Sequence, residues 1–550
     1  MNSQNKQFQF TRKTEHNGIT VPRVLLVSVF GPFGVDDEFG RKENLLELFH
    51  NQVTREQGAF SIRMNCESHG LHLIAKNINA KIKVLDFPSQ KCFVEEIEKN
   101  YDYVGISFII PNFVKARRMA TLVREHSPGS KIVLGGHGTS LENIEQLIPC
   151  DYVCRGEGVR FFRELLGQDT NAKIEHPMVY AYFNRYIMGV PMPPTEGMIM
   201  PGVGCVNACN FCATSHFFQK TYTPFLSTGR DVYDVCVRME KELGVTGFML
   251  MDENFLKSEE RCRELLRLME ENGKAYSFVI FSSADSVTRF GLDFMERLGV
   301  RFLWMGVEGR TTAYNKNRDI DFNSLVKNLR DRGITVLTSA IMFMDHHTKQ
   351  NIQEDVDFVI GLNTDCVQFM LYGPIPGTAL HKEYDEKGML LEDIPYEERH
   401  GQKQIWFKHP HFTGEESERY LREAFEKDFL VNGPTILRMA DTFIRGVISL
   451  KNRRNSPFME KRFQERVLHA NEVRPLLDAM ILYAPNPGAR QLAENVKKKY
   501  ESFFGKESLK LKLLSLVVRV VFFKELIRNK LVANNMRQPE TITTVYGPQT

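Results

Sequence analysis

The chain has 550 residues, 42% of them hydrophobic, which is too long for one ordinary core and enough apolar material for two or three. Its 71 lysines and arginines nearly balance 68 aspartates and glutamates, so the global positive field of a nucleic-acid partner is excluded and any basic surface must be local. The first twenty residues are polar and lack the apolar stretch of a signal peptide; a cytoplasmic, reducing setting is expected, where clustered thiols point to metal or redox chemistry before disulfides.

After that polar tail (1–20), the run VPRVLLVSVFGP from Val21 suits a strand buried on both faces and stopped by Gly and Pro. Similar runs recur at 81–88, 101–109 and 131–138, with helical patterns between them, so residues 21–167 predict a doubly wound parallel α/β sheet. A linker is expected at 168–195. From 196 to 390 a second series of strands, at 198–204, 247–253, 276–283, 301–309, 335–343 and 366–374, alternates with charged amphipathic helices. Six such units predict a partial (β/α)6 barrel with its chemistry at the C-terminal strand ends. Residues 391–532 read as helical and basic, and 533–550 as a disordered tail. Seven of the ten cysteines (Cys66, Cys92, Cys150, Cys154, Cys236, Cys262 and Cys366) are scattered and read as small buried hydrophobes.

The other three stand together in Cys205-Val-Asn-Ala-Cys209-Asn-Phe-Cys212, a loop directly after the first barrel strand. Thiolates at spacings of four and three can converge on three irons of a cubane and leave the fourth iron without a protein ligand. Zinc is the competing reading, with His216 as a fourth ligand, although structural zinc sites usually use two paired cysteines.

This CxxxCxxC loop, with Phe211 before its last cysteine, resembles that of the radical S-adenosylmethionine enzymes, and the resemblance runs through the barrel to about residue 390. It implies that Cys205, Cys209 and Cys212 hold a [4Fe-4S] cluster whose open iron chelates S-adenosylmethionine. On the same grounds Asp252 and Glu253 would bind the methionine amine and Glu308 the ribose, with Ser282 and Ser339 as further cofactor contacts. GPIPGTAL (373–380) is similar to the Pro-Gly-Thr signature of the cobalamin-dependent branch. The sheet domain, with GISFI, GGHGTS and CRGEG in order, resembles that branch's cobalamin-binding domain. Ser107, Gly135, Gly136, Gly138, Thr139, Gly156 and Glu157 are its expected cofactor contacts, the glycines freeing backbone for a corrin and its nucleotide tail. The Asp-x-His-x-x-Gly motif that supplies a cobalt ligand is absent; His69, His72 and His137 are the nearest substitutes.

Beyond the barrel, the histidines of Trp406-Phe-Lys-His409-Pro-His411-Phe-Thr413 read as a lid or turn, and 409–413 is also similar to hopanoid-methylating members of the branch. Lys506, Lys510, Lys512, Arg519, Lys524, Arg528 and Lys530 flank an apolar run too short to span a bilayer, readable as a helix at a membrane surface or as one packed over the barrel. The combined expectation is an enzyme that methylates an unactivated carbon of a lipid-like or natural-product substrate, drawing on an external electron donor. A radical cyclase, ring-contraction or carbon-coupling enzyme of the same branch, and a cobalamin or redox sensor, are the alternatives.

Overall fold

The computed structural model describes residues 21–31, 48–310, 317, 319–505, 508–531 and 541–548. Strands Arg23–Ser28, Lys81–Asp86, Tyr103–Ser107, Lys131–Gly135 and Tyr152–Val153 form a parallel sheet with Arg23–Ser28 between Lys81–Asp86 and Tyr103–Ser107. Val24 and Leu26 point to one buried face and Leu25 and Val27 to the other, which is why the first strand reads as an unbroken apolar run. Helix His69–Asn77 covers the first face and helix Phe113–His126 the second.

The second sheet is parallel and runs in sequence order: Glu196–Ile199, Gly247–Leu250, Ser277–Phe281, Val300–Glu308, Thr335–Met342 and Cys366–Leu371. These are the six strands of the expected partial barrel. Five long helices follow, Gly414–Asn432, Thr435–Leu450, Pro457–Leu482, Pro487–Phe504 and Leu509–Leu531. Their apolar faces share one core with the barrel, so the helical region is a wall of it rather than a separate body. The 409–413 stretch resolves into local chemistry. His409 Nε2 bonds the Met344 carbonyl, Phe412 is buried, and Thr413 with Glu416 forms the capping box of helix Gly414–Asn432. No helix among the described residues is long and apolar enough to cross a membrane.

Two segments depart from the expected division, and a third bridges it. Residues 542–546, expected in a disordered tail, form strand Ile542–Tyr546 antiparallel to Lys81–Asp86, closing the open edge of the first sheet. Its alternation of Ile, Thr, Val and Tyr fits an edge with one packed face. The expected linker is structured: Asn184–Ile187 and Val190–Met192 make a small sheet with Arg63–Asn65. Residues 48–65, in the first domain by sequence, also reach across to the floor of the barrel. There Phe49 meets Phe302 edge-on at 6.1 Å, Gln52 accepts from Gln368, and Gln57 donates to Thr435 Oγ1 at 2.8 Å. The first domain is therefore tied to the barrel at its start, and its sheet edge faces the barrel mouth.

Candidate functional site

The cysteine loop leaves the first barrel strand through Gly204, held at φ 91°, where an added Cβ would lie 2.2 Å from the Thr221 carbonyl oxygen. Ala208 also sits in the left-handed region, at φ 53°. Inside the loop the Cys212 N–H donates to the Cys209 carbonyl at 3.1 Å and Ser215 Oγ to the Cys205 carbonyl at 2.7 Å. From outside, residues 373–380 clamp it: the Leu380 N–H donates to the Asn210 carbonyl at 3.1 Å, and Phe211 packs edge-on against Tyr372. The same segment reaches the first domain, since Ile375 joins that domain's core and an added Cβ at Gly377 would meet Ser140 at 3.2 Å. The Pro-Gly-Thr signature is thus a brace between the two halves.

All three cysteines are half-buried. Burial pushes the Cys212 thiol up to about 11, with further upward pushes from Glu253, Cys209 and Cys205, so the three sulfurs share one electrostatic neighbourhood. A thiol held there ionises at neutral pH when a cation compensates it, as iron does. The ring of His216, the fourth ligand in a zinc reading, bonds the Cys209 main chain and leaves Nε2 buried without a hydrogen-bond partner among the described residues. The described groups whose ligand atoms converge within 4.8 Å are His346, His347 and Asp355, and Glu67, His72 and Asp86. A compact mononuclear site would gather the cysteines in the same way; three thiols in a wider loop fit a cubane with one open iron.

The acidic pair after the second strand divides its work. Asp252 is buried and locked: Arg261 donates to it at 2.7 Å, Tyr222 Oη at 2.7 Å and the Asn254 N–H at 3.0 Å. It supports the wall, and its oxygens already hold a buried guanidinium. Glu253 is the member that faces the cavity, solvent-accessible there, and the crowding of protein around it, with Asp252 beside it, raises its carboxyl to about 7. Ser282 donates to Asn254 Oδ1 at 2.7 Å, and Ser339 accepts from Trp304 Nε1 and donates to Gln368 Oε1, so both hydroxyls are engaged within the barrel. Glu308 ends the fourth strand, buried, with φ 67° at a register shift against the fifth strand. A non-glycine residue held in that conformation costs about 1–3 kcal/mol, and such strain clusters at functional sites.

Between the first sheet's C-terminal edge and the barrel mouth lies a cavity partly open to solvent. Ser107, Gly135, Gly136, Gly156 and Glu157 line it from one side and Gly204, Thr214, Phe217, Phe218, Met251 and Glu253 from the other. Within that lining, Glu157 caps helix Gly158–Leu165 by accepting from the Val159 and Arg160 N–H groups. Two of the expected contacts are not on the wall. Thr139 is fully buried and donates to the Gly136 and Cys154 carbonyls. Gly138 is needed for packing, since an added Cβ would lie 2.2 Å from the Phe108 ring. Gly136 lines the cavity, yet its φ of 83° and a Cβ position 2.5 Å from the Phe108 carbonyl oxygen also make it structural. Sequence reasoning missed Gly70, on the wall in helix His69–Asn77, where a Cβ would meet nothing within 4 Å. Its only signal was a glycine inside a helix, where Gly is otherwise unfavourable. A broad slot walled by glycines fits a large flat cofactor.

The three candidate cobalt ligands separate cleanly. His69 Nε2 bonds the Tyr180 carbonyl, and His72 lies between Asp86, at 2.8 Å, and Tyr546 Oη, at 2.9 Å. His137 lines the cavity, packs on Phe217 with ring centroids 4.5 Å apart, and leaves Nδ1 buried without a hydrogen-bond partner among the described residues. Burial lowers its ring to about 4, which keeps the imidazole neutral.

Comparison with known proteins agrees with this geometry. Residues 54–166 match the B12 binding domain and residues 199–359 the Radical SAM superfamily. An uncharacterized methyltransferase of Pyrococcus horikoshii is 22% identical over 407 residues, covering 66% of this chain and 87% of its own. The bacteriochlorophyllide d C-8(2)-methyltransferase of Chlorobaculum tepidum is 24% identical over 323 residues, covering 54% of this chain and 71% of its own. The structure of the radical S-adenosylmethionine methyltransferase TsrM from Kitasatospora setae, with cobalamin and [4Fe-4S] cluster bound, shares the fold. Its TM-score is 0.50 at 15% identity, over 82% of this chain and 100% of that one. With both domains matched and facing one cavity, the chain is a radical S-adenosylmethionine enzyme with a B12-binding domain, homologous to the cobalamin-dependent methyltransferases, and its cofactors are a [4Fe-4S] cluster, S-adenosylmethionine and cobalamin.

Proposed function

We propose that the chain transfers a methyl group to an unactivated carbon of a small, lipid-like or natural-product substrate held where the cavity meets the barrel mouth. The observation that carries this reading is the shared cavity, lined by the glycine loops of the first domain and by the helix that follows Cys212. When bound, the cluster supplies the electron that cleaves S-adenosylmethionine and cobalamin carries the methyl group; that electron comes from an external donor, expected in the cytoplasm. The protein's share is placement and exclusion of water. Phe217, Phe218 and Met251 give the cavity an apolar wall, and Glu253 offers a carboxylate to the ammonium of S-adenosylmethionine.

The neighbouring carboxylates give opposite expected results. Glu253→Gln keeps the cluster spectrum and the thermal midpoint while weakening S-adenosylmethionine binding by about tenfold to a hundredfold, the range of one charge-assisted hydrogen bond. Asp252→Asn leaves the Arg261 guanidinium buried without its counter-charge and costs stability, by about 3–5 kcal/mol. Calorimetric titration and denaturant unfolding read the two effects separately.

Methyl transfer itself is tested by turnover with S-adenosylmethionine deuterated in its methyl group. The expected product gains the labelled methyl; a product with a new ring or carbon–carbon bond and no label overturns methyl transfer.

A further inference from the structure

Helix Leu509–Leu531 is apolar on two sides, and helix Pro457–Leu482 with residues 55–60 covers only one of them. Ser515, Val518, Phe522 and Glu525 are buried, with Phe522 packed against Phe60 and Tyr483. On the outer side Leu509, Leu513, Leu516, Val520, Phe523 and Ile527 follow one another at alternating steps of four and three, so they form one continuous stripe. They are 84, 64, 54, 64, 53 and 45% exposed, values that make this an uncovered face of the described structure rather than scattered surface residues. At 1.5 Å per residue the stripe runs about 30 Å. It broadens at one end: Tyr483 stacks on Phe523, its neighbour Leu482 is 51% exposed, and Leu430 and Val431, linked to the same turn through Asn486, are 60 and 63% exposed. A patch of this extent on a soluble fold marks a docking surface.

Its charges identify the partner. Lys510, Lys512, Lys524 and Lys530 are exposed beside the stripe, and no ion pair engages them among the described residues. The acid of the described helix, Glu525, is buried and paired with Arg528, while Arg519 is spent on Asp478. A second copy laid along this seam would bring lysine against lysine with no acid to match, the opposite of what specifies paired helices. We propose that this helix lies in the interface of an anionic lipid bilayer, its outer stripe among the acyl chains and its free lysines among the headgroups. The surface is independent of the methyl-transfer reading, because none of its residues lines the cavity.

The test is flotation of the full-length, cluster-reconstituted protein with phosphatidylcholine vesicles, with and without phosphatidylglycerol. The native chain is expected to float with anionic vesicles and to bind neutral ones at least about tenfold more weakly, since each lysine near the surface contributes about fivefold. Leu513→Glu/Phe523→Glu is expected to stay at the bottom of both gradients with its cluster absorbance and thermal midpoint retained. Replacing the four lysines by Gln is expected to abolish the preference for anionic lipid. Equal flotation of the native and double-Glu proteins overturns the proposal, as does no flotation of the native chain. A native dimer by light scattering that becomes monomeric on Leu513→Glu/Phe523→Glu, without lipid binding, assigns the face to a second copy instead.

Discussion

Replacing Cys205, Cys209 and Cys212 together by alanine is expected to remove the broad iron–sulfur absorbance and all cleavage of S-adenosylmethionine, while the protein still folds. The loop keeps its form without the thiols because its restraints are elsewhere: Gly204 against Thr221, Ser215 on the Cys205 carbonyl, and the Leu380 N–H on the Asn210 carbonyl. Rescue by another thiol is not expected. Cys236, Cys262 and Cys366 are buried in packed core and their thiols are pushed strongly upward by burial, which makes them poor donors. A reconstituted triple variant that retained a cubane spectrum would refute the assignment. Far-ultraviolet circular dichroism of the same sample reads folding apart from cluster content.

The second large effect is expected at Gly70. An added Cβ there meets no atom within 4 Å and Gly70 lines the cavity, so Gly70→Trp is expected to take up space in the slot while the protein still folds. Exchanging Gly for a residue with better helix propensity contributes up to about 1 kcal/mol of helix stability. Corrin content after reconstitution is expected to fall about tenfold or more, the steric cost of overpacking reaching about 1–3 kcal/mol, with cluster content unchanged. Gly138→Ala is the control. Its methyl group would press on the Phe108 ring at 2.2 Å, so it is expected to lower the thermal midpoint and to lose corrin only through unfolding. Full corrin occupancy in Gly70→Trp, measured spectrophotometrically, would move the cofactor out of this cavity.

The parts of the fold visible in the sequence were those whose signal is local. Both parallel sheets announce themselves as short β-branched runs because their strands are buried on both faces, and the cysteine loop carries its own spacing. What the sequence hid depends on distant partners. Nothing in 48–65 says that Phe49 will meet Phe302 or that Gln52 will meet Gln368 across the barrel floor. Asp252 and Glu253 look interchangeable until Arg261, nine residues later on a helix, claims the first. Gly138 reads in the sequence as room for a cofactor, and that room is taken by the Phe108 ring, whereas Gly136 lines the cavity. Helix Leu509–Leu531 has apolar residues all round, so its pattern alone could not assign an inner and an outer side.

Strand Ile542–Tyr546 sets a schedule for biosynthesis. Chains emerge from the ribosome amino end first, and domains usually complete themselves in that order. Here the sheet of the first domain keeps a bare edge along Lys81–Asp86 until residues 542–546 have been made and have travelled back to it. His72, on the helix above that edge, gains the Tyr546 hydroxyl at the same moment. The barrel and its helical wall are therefore translated before the cofactor domain can finish, and a nascent protein spends that interval with an unpaired edge strand exposed to neighbouring chains. Ribosome-bound chains ending before and after this strand are expected to differ in how readily a protease cuts the first domain near Lys81–Asp86, which makes the last few described residues the step that seals that edge.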